Sequence, residues 1–438
     1  MSETMNLEQR ALTIVLLTYG SRGDVEPFLA LAEGLMRAGH AARVVAPGVF
    51  EGLAKERGIH FSPLPGNPDQ LVRDLVQEAG GNPIRMVQVV SRFVLPLAAD
   101  VMRTAMQACA DADVIVHSFL MTNAGYEIAV EQRIPDFSAQ FFPVFLPTKE
   151  FPGVVAPDLP FGAAYRRITH RLIQQVFLRG SSLLYGRLRK SHPELPPLTG
   201  WPLDERRPRF PGDRDPTSVL YAYSPHVLPA PQDWPVWAHV TGYWTPQIPE
   251  AARGPEELEA FLKAGPPPVY IGFGSVISRD PARLTKIAIE ALRISGQRGV
   301  ISTSEEGMPG GGLPDHVCIA GDVSHVWLFP RMAAAVHHGG AGTTGASLRA
   351  GLPTLVVPFT SDQPFWGRQV RKLGVGPAPI RPRLLTAERL AEAIRRMLSD
   401  ADMRGRAHLL GEQIRAENGV GYAVARIEQA CGIVSSVG

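Results

Sequence analysis

One local pattern, a short apolar strand run into a glycine-bearing turn and then an amphipathic helix, occurs near the start of the chain and begins again past its middle. That repetition limits the fold more than any other feature. Residues 12–18 are apolar and β-rich, Gly20 and Gly23 follow, and residues 28–37 carry apolar side chains at helical spacing before Gly39. Residues 42–47 read as the next strand, so 12–47 is a predicted βαβ unit, and further strands are expected at 114–117 and 136–139. The second series opens with a predicted strand at 268–274 and a helix at 283–295. It continues with strands at 300–303, 317–320, 334–337 and 354–358 and helices at 344–350 and 387–398. Parallel strands need crossovers, and helices supply them while covering both sheet faces. The expected fold is α/β, with two doubly wound Rossmann-like domains facing each other across a cleft. Residues 1–245 are assigned to the first domain, 246–264 to a linker, 265–417 to the second, and 418–438 to a tail able to pack back on the first.

Composition narrows the class. A chain of 438 residues is too long for one ordinary core. Hydrophobic residues make up 45% and charged residues 20%, and a net charge of +2 offers no global field for nucleic acid. Cys109, Cys318 and Cys431 are widely spaced and odd in number, which reads as free thiols in a reducing compartment. Residues 1–10 hold no signal-like apolar run, no apolar stretch is long enough to span a bilayer, and a cytoplasmic protein is expected. Segment 159–193 departs from the rest. It has no acidic residue, yet carries Arg166, Arg167, Arg171, Arg179, Arg187, Arg189 and Lys190, with Ile168, Leu172, Val176 and Phe177 near one helical face. Two readings stand: a solvated surface helix, or weak contact with an anionic membrane surface through 163–190. The oligomeric state is left open.

The most informative run is HHGGAGTTGASLRAG, residues 337–351, where a strand ends in two histidines and glycines open a helix. A helix start presents unpaired N–H groups and partial positive charge, and glycine lets the backbone approach an anion closely. His338, Thr343 and Thr344 can add donors. Gly340, Gly342 and Gly345 also spell the GxGxxG of a dinucleotide site, with Asp362 downstream. Against that reading, the strand is not the first of its domain and the fingerprint gives no reason for the histidines. His337 reads equally as a core histidine, Thr343 or Thr344 as a helix cap, and Gln363 as a turn residue.

HHGGAGTT, followed by VPF and DQPFW, resembles the donor-binding signature of the family 1 glycosyltransferases of GT-B fold. The opening TYGSRGDVEPFLALAEGLMRAGH (18–40) resembles the bacterial antibiotic and fungal sterol branch. YSPHVLP (223–229), VTGYW (240–244), GFGS (272–275) and WLFPRM (327–332) are similar to its sterol glucosyltransferases. The resemblance covers nearly the whole chain. It implies that Ser275, His338, Gly340, Gly342 and Thr343 hold a donor diphosphate, that Asp362 and Gln363 bind the sugar hydroxyls, and that Val323 and Ser324 line the uracil and ribose pocket. It implies a UDP-sugar donor, UDP-glucose first, and no cofactor. A tryptophan that plant members stack on the base is missing near Ala320 and Gly321, and Trp327 reads as core.

GSRGDVEP (20–27) lies between a strand and a helix, where open α/β sheets place ligands. Asp24 is a suitable base for an acceptor hydroxyl, or else caps the helix that contains Pro27. In the resembling branch this aspartate is the base, which favours the first reading. His117 is the reserve base, and Arg22 is left between a phosphate and a nearby acid. Met86, Phe93, Met121, Phe141, Phe142 and Phe145 are candidates for an apolar pocket that takes a sterol, terpenoid or aromatic alcohol. No DxD-spaced aspartates lie near the diphosphate run, so no metal is expected. The expected reaction, with donor on the second domain and acceptor on the first, is a single in-line displacement with inversion. The alternatives are a nucleotide-sugar epimerase or hydrolase of the same fold, or a partner that binds the donor without transfer.

Overall fold

The computed structural model describes residues 11–68, 70, 95–197, 217–247, 254–274, 280–304, 307–308, 312–321 and 323–433. Met86, Phe93 and Ser275 lie outside the described residues. Seven strands build the first sheet: Thr13–Leu17 (β1), Ala41–Pro47 (β2), His60–Leu64 (β3), Val114–His117 (β4), Asp136–Gln140 (β5), Ser218–Tyr221 (β6) and Ala238–Val240 (β7). Their order is β3-β2-β1-β4-β5-β6-β7, and every pairing is parallel. Val269–Gly272 (β8), Gly299–Ser302 (β9), Val317–Ala320 (β10), Ala334–His337 (β11) and Thr354–Val356 (β12) form the second sheet. It is again all parallel, in the order β10-β9-β8-β11-β12.

Each sheet is covered on both faces, which is why its strands read as continuous apolar runs. In the first domain, Val25, Phe28 and Leu29 of the helix Arg22–Arg37 pack on Val114 and Val116 of β4. Ala423, Val424 and Ile427 of the last helix, Gly419–Ala430, join the same cluster. The helices Leu95–Ala108 and Thr122–Gln132 cover the opposite face with Ile115 of β4. In the second domain, helices Pro281–Ser295 and Ala387–Ser399 lie on one face. Trp327, Phe329 and Leu258 fill the other. Leu258 belongs to a helix, Glu256–Lys263, that falls inside the segment read as linker.

An apolar seam joins the domains. Phe151 meets Phe365 edge-on at 5.6 Å and Tyr223 meets Trp366 at 5.7 Å. The chain returns to the first domain at Glu417–Gly419, where a Cβ on Gly242 would lie 3.1 Å from the Gly419 Cα. The Ser224 hydroxyl donates to Glu417 Oε1 at 2.5 Å in the same place. Strand order reverses beside the first strand of both sheets, at β1/β4 and β8/β11. Such switch points are where open α/β sheets bind ligands.

Candidate active site

The loop after β11 runs straight from the second switch point into the helix Ala341–Arg349. Gly340 is its N-cap and has no side chain to offer. The first backbone bond is from Thr344 N–H to Gly340 O, 2.9 Å. The N–H groups of Ala341, Gly342 and Thr343 precede it and therefore lack an intrahelical acceptor. His338 stands beside them, because a Cβ on Gly340 would lie 2.7 Å from its Nε2. Burial pushes His338 down to about 4, so its ring is neutral at pH 7. Its buried Nδ1 has no hydrogen-bond partner and faces Gly274, the residue before Ser275. Thr344 Oγ1 is also buried without a partner, while Thr343 is half-buried.

His337 is a different case. Its Nδ1 accepts from Gly339 N–H at 3.0 Å and its Nε2 lies 3.2 Å from Ser347 Oγ, so it is a satisfied core histidine. Gly345, the third glycine of the GxGxxG string, packs against the Tyr243 ring, 2.5 Å from where its Cβ would be. That glycine serves the contact between domains, which accounts for the string without a dinucleotide.

Asp362 and Gln363 open the helix Gln363–Lys372. Asp362 Oδ2 accepts from the Trp366 indole N–H at 2.9 Å. Burial, with the Asp24 charge as a smaller contribution, raises Asp362 to about 6. Gln363 Oε1 accepts from the N–H groups of Phe359 (2.7 Å) and Thr360 (3.1 Å), so its carbonyl holds the turn and its amide remains for a ligand.

Asp24 stands across the cleft. The helix there starts at Arg22, earlier than the sequence suggests, because Ser21 caps it and Asp24 occupies the third position. Asp24 Oδ2 accepts from the Ser21 N–H at 2.8 Å and from the Ser21 hydroxyl at 2.9 Å, the carboxylate half of a capping box. Gly20, at φ 146°, leaves room for that oxygen. Pro27 accordingly lies in the second turn and cannot donate to the Gly23 carbonyl. The two helix starts approach each other: a Cβ on Gly342 would lie 3.9 Å from both the Cα and the O of Gly23.

His117 does not share this cleft. Its Nε2 lies 2.7 Å from Asp136 Oδ2, both side chains are fully buried, and its ring packs under Gly125. Strand alternation turns it to the face opposite the helix Arg22–Arg37. Arg22 pairs with Glu26 at 2.9 Å, and its charge also reaches His325.

Val323 and Ser324 are half-buried, and Ser324 is the N-cap of the short helix His325–Leu328. Trp327 is core, stacked under Arg331 at 4.3 Å. The residue that sequence reasoning missed is His325. It lies parallel on Phe329 at 4.5 Å and touches the Tyr270 hydroxyl at 3.1 Å. Burial, then the His338 and Arg22 charges, lower it to about 4. The only signal was its place directly after Ser324. Of the aromatic candidates, Met121, Phe141 and Phe145 are buried. Phe141 is packed edge-on to Phe28 and Trp244, whereas Phe142 is half-buried and meets Phe119 at 5.4 Å. Among the described residues no group of three or more His, Cys, Asp or Glu side chains is gathered as for a metal ion.

Two all-parallel sheets whose switch-point helix starts face each other make up a GT-B fold. Two family models match parts of the chain, one in each domain. Residues 14–151 match the glycosyltransferase family 28 N-terminal domain, and residues 299–427 match the erythromycin biosynthesis protein CIII-like C-terminal domain. Over 429 residues it is 35% identical to a sterol 3-beta-glucosyltransferase of Leptosphaeria maculans, covering 95% of this chain. The chain spans 28% of the length of that relative. Among solved structures it is similar to CalG4, the calicheamicin glycosyltransferase, with a TM-score of 0.70, 18% identity, and coverage of 97% of this chain and 100% of that one. It is also similar to SsfS6 of Streptomyces sp. SF2575, complexed with thymidine diphosphate, with a TM-score of 0.62, 18% identity, and coverage of 95% and 99%. At these identities the two structures establish the fold.

Proposed function

We propose that this chain transfers a hexose from a nucleoside diphosphate donor, UDP-glucose first, to a hydroxyl of a lipophilic acceptor such as a sterol or terpenoid. The observation that carries the reading is the meeting of two helix starts, one bearing Asp24 and the other three N–H groups without helical acceptors beside neutral His338. The diphosphate takes those N–H groups, the Nδ1 side of His338 and the hydroxyls of Thr343 and Ser275. Asp362 and the Gln363 amide hold the sugar, and Val323 and Ser324 border the base.

Asp24 accepts the acceptor's hydroxyl proton as the oxygen attacks the anomeric carbon. The new C–O bond forms while the bond to the diphosphate breaks, and the nucleotide leaves with the electron pair, inverting the centre. The helix start stabilises that departing charge. Sterol 3-beta-glucosyltransferase similarity supports a sterol-like acceptor and a glucose donor. The thymidine diphosphate in SsfS6 favours TDP-hexose as the second donor to try. Phe142 and Phe119 are the described aromatics that best border the acceptor; Phe141, Phe145 and Met121 support that wall from behind.

The test is product formation by mass spectrometry from UDP-glucose and pooled sterol, terpenoid and phenolic alcohols, with Asp24→Asn as the control. Asparagine can still accept the Ser21 N–H, so the cap survives while the base is removed. The parent should give hexosides with inverted configuration. The variant should bind UDP and lose about 10²–10⁴-fold in rate. Retained stereochemistry, or an active Asp24→Asn, rules out this mechanism.

A further inference from the structure

The helix Gly162–Ser191 runs for 30 residues and leaves one side unpartnered. Its inner side is fixed. Phe177 meets Phe119 at 5.2 Å and Phe145 at 4.9 Å, the Gln174 amide donates to the Phe145 carbonyl, and His170 and Leu188 are buried. The outer side presents Phe161 at the N-cap, then Ile168, Leu172, Val176 and Leu183, exposed by 68, 52, 59, 73 and 61%. Steps of seven, four, four and seven residues keep these five on one stripe. Arg171, Arg179, Arg187 and Lys190 are exposed on the same helix and make no ion pair with a described residue. No acidic residue lies between positions 159 and 193.

We propose that this helix docks flat on the surface of an anionic bilayer, its apolar stripe entering the headgroup boundary and its arginines meeting lipid phosphates. An apolar stripe flanked by cations, with no negative charge to repel the surface, matches an interfacial helix in shape and sign. Seven cations bar it from crossing, and no described helix is long and apolar enough to span a membrane. The inner side of the same helix lies over Phe119 and Phe145, next to Phe142. On the acceptor assignment proposed above, on which this last step rests, docking brings the acceptor wall to the bilayer that dissolves a lipophilic alcohol.

Flotation of the full chain with vesicles tests the docking without donor or acceptor, so its failure leaves the sugar-transfer reading untouched. The chain should float with phosphatidylcholine–phosphatidylglycerol vesicles, less with phosphatidylcholine alone, and less again in high salt. Leu172→Gln with Val176→Gln should lower partitioning by about ten-fold or more. Arg171→Gln with Arg179→Gln should cost about five-fold per arginine. All four side chains are exposed, so circular dichroism and melting should not change. Absence of parent binding to mixed vesicles, or variants that float like the parent, overturns the proposal. So does a parent dimer that Leu172→Gln/Val176→Gln converts to monomer, since a second copy would then cover the stripe.

Discussion

The helix starts at Arg22 and Ala341 follow the same kind of strand and face one cleft, yet they are finished in opposite ways. Ser21 and Asp24 occupy the first with hydrogen bonds of 2.8 and 2.9 Å. Gly340 leaves the second without a cap, beside a histidine whose buried Nδ1 is also unmatched. A capped start has spent its partial charge on its own carboxylate, whereas an uncapped one awaits an anion from outside. On the function proposed above, the first start takes a proton and the second a diphosphate.

The largest expected effect that sharpens this contrast comes from His338→Ala. Losing a hydrogen bond to a charged ligand is worth about 1.5–3 kcal/mol, so titration calorimetry should show UDP weakened by about 10–100-fold. Unchanged UDP affinity would place the anion elsewhere and end the contrast.

Asp362→Asn tests the cost of holding a carboxylate in the cleft. Its folded value near 6 exceeds the ordinary 3.8, so the folded state holds the proton more tightly than the unfolded one. Asp362 therefore costs stability as pH rises from 3.8 through 6. The variant should be more stable than the parent at pH 7.5, by about 1–3 kcal/mol, while losing transfer. Melts repeated at lower pH should show the gain shrinking. His325 and His338, lowered to about 4, act with the opposite sign as pH falls below 6.5, but both proteins share them and they cancel in the difference.

Ser21→Ala should give the smallest effect. It removes one donor to Asp24 and should cost about 1 kcal/mol in a denaturant melt, with UDP affinity unchanged. A matching fall in UDP affinity would mean that the two helix starts are not independent.

Most of the sheet was legible because strands covered on both faces read as apolar runs, as in β1, β4 and β11. His60–Leu64 escaped notice, since Pro63 and three half-buried or exposed positions break the run. Ala238–Val240 is three residues long among prolines and tryptophans. Glu256–Lys263 was read as linker because prolines frame it, although Pro255 serves as its N-cap. The helix at Arg22 was placed late because Pro27 was taken for a first-turn residue. The Ser21–Asp24 pair was the better signal. In the site, glycines and histidines at a helix start declare themselves by type. Aromatic residues do not: Phe141 and Phe142 are neighbours in sequence, and only packing makes the first a core residue and leaves the second half-buried.

The chain passes between its domains twice, once beyond Gly242 and once at Gly419, and the two passages touch. A methyl group added at either glycine would meet the other passage, at 3.1 Å from Gly242 to the Gly419 Cα and 2.7 Å from Gly419 to the Gly242 carbonyl carbon, so both crossings depend on bare backbone.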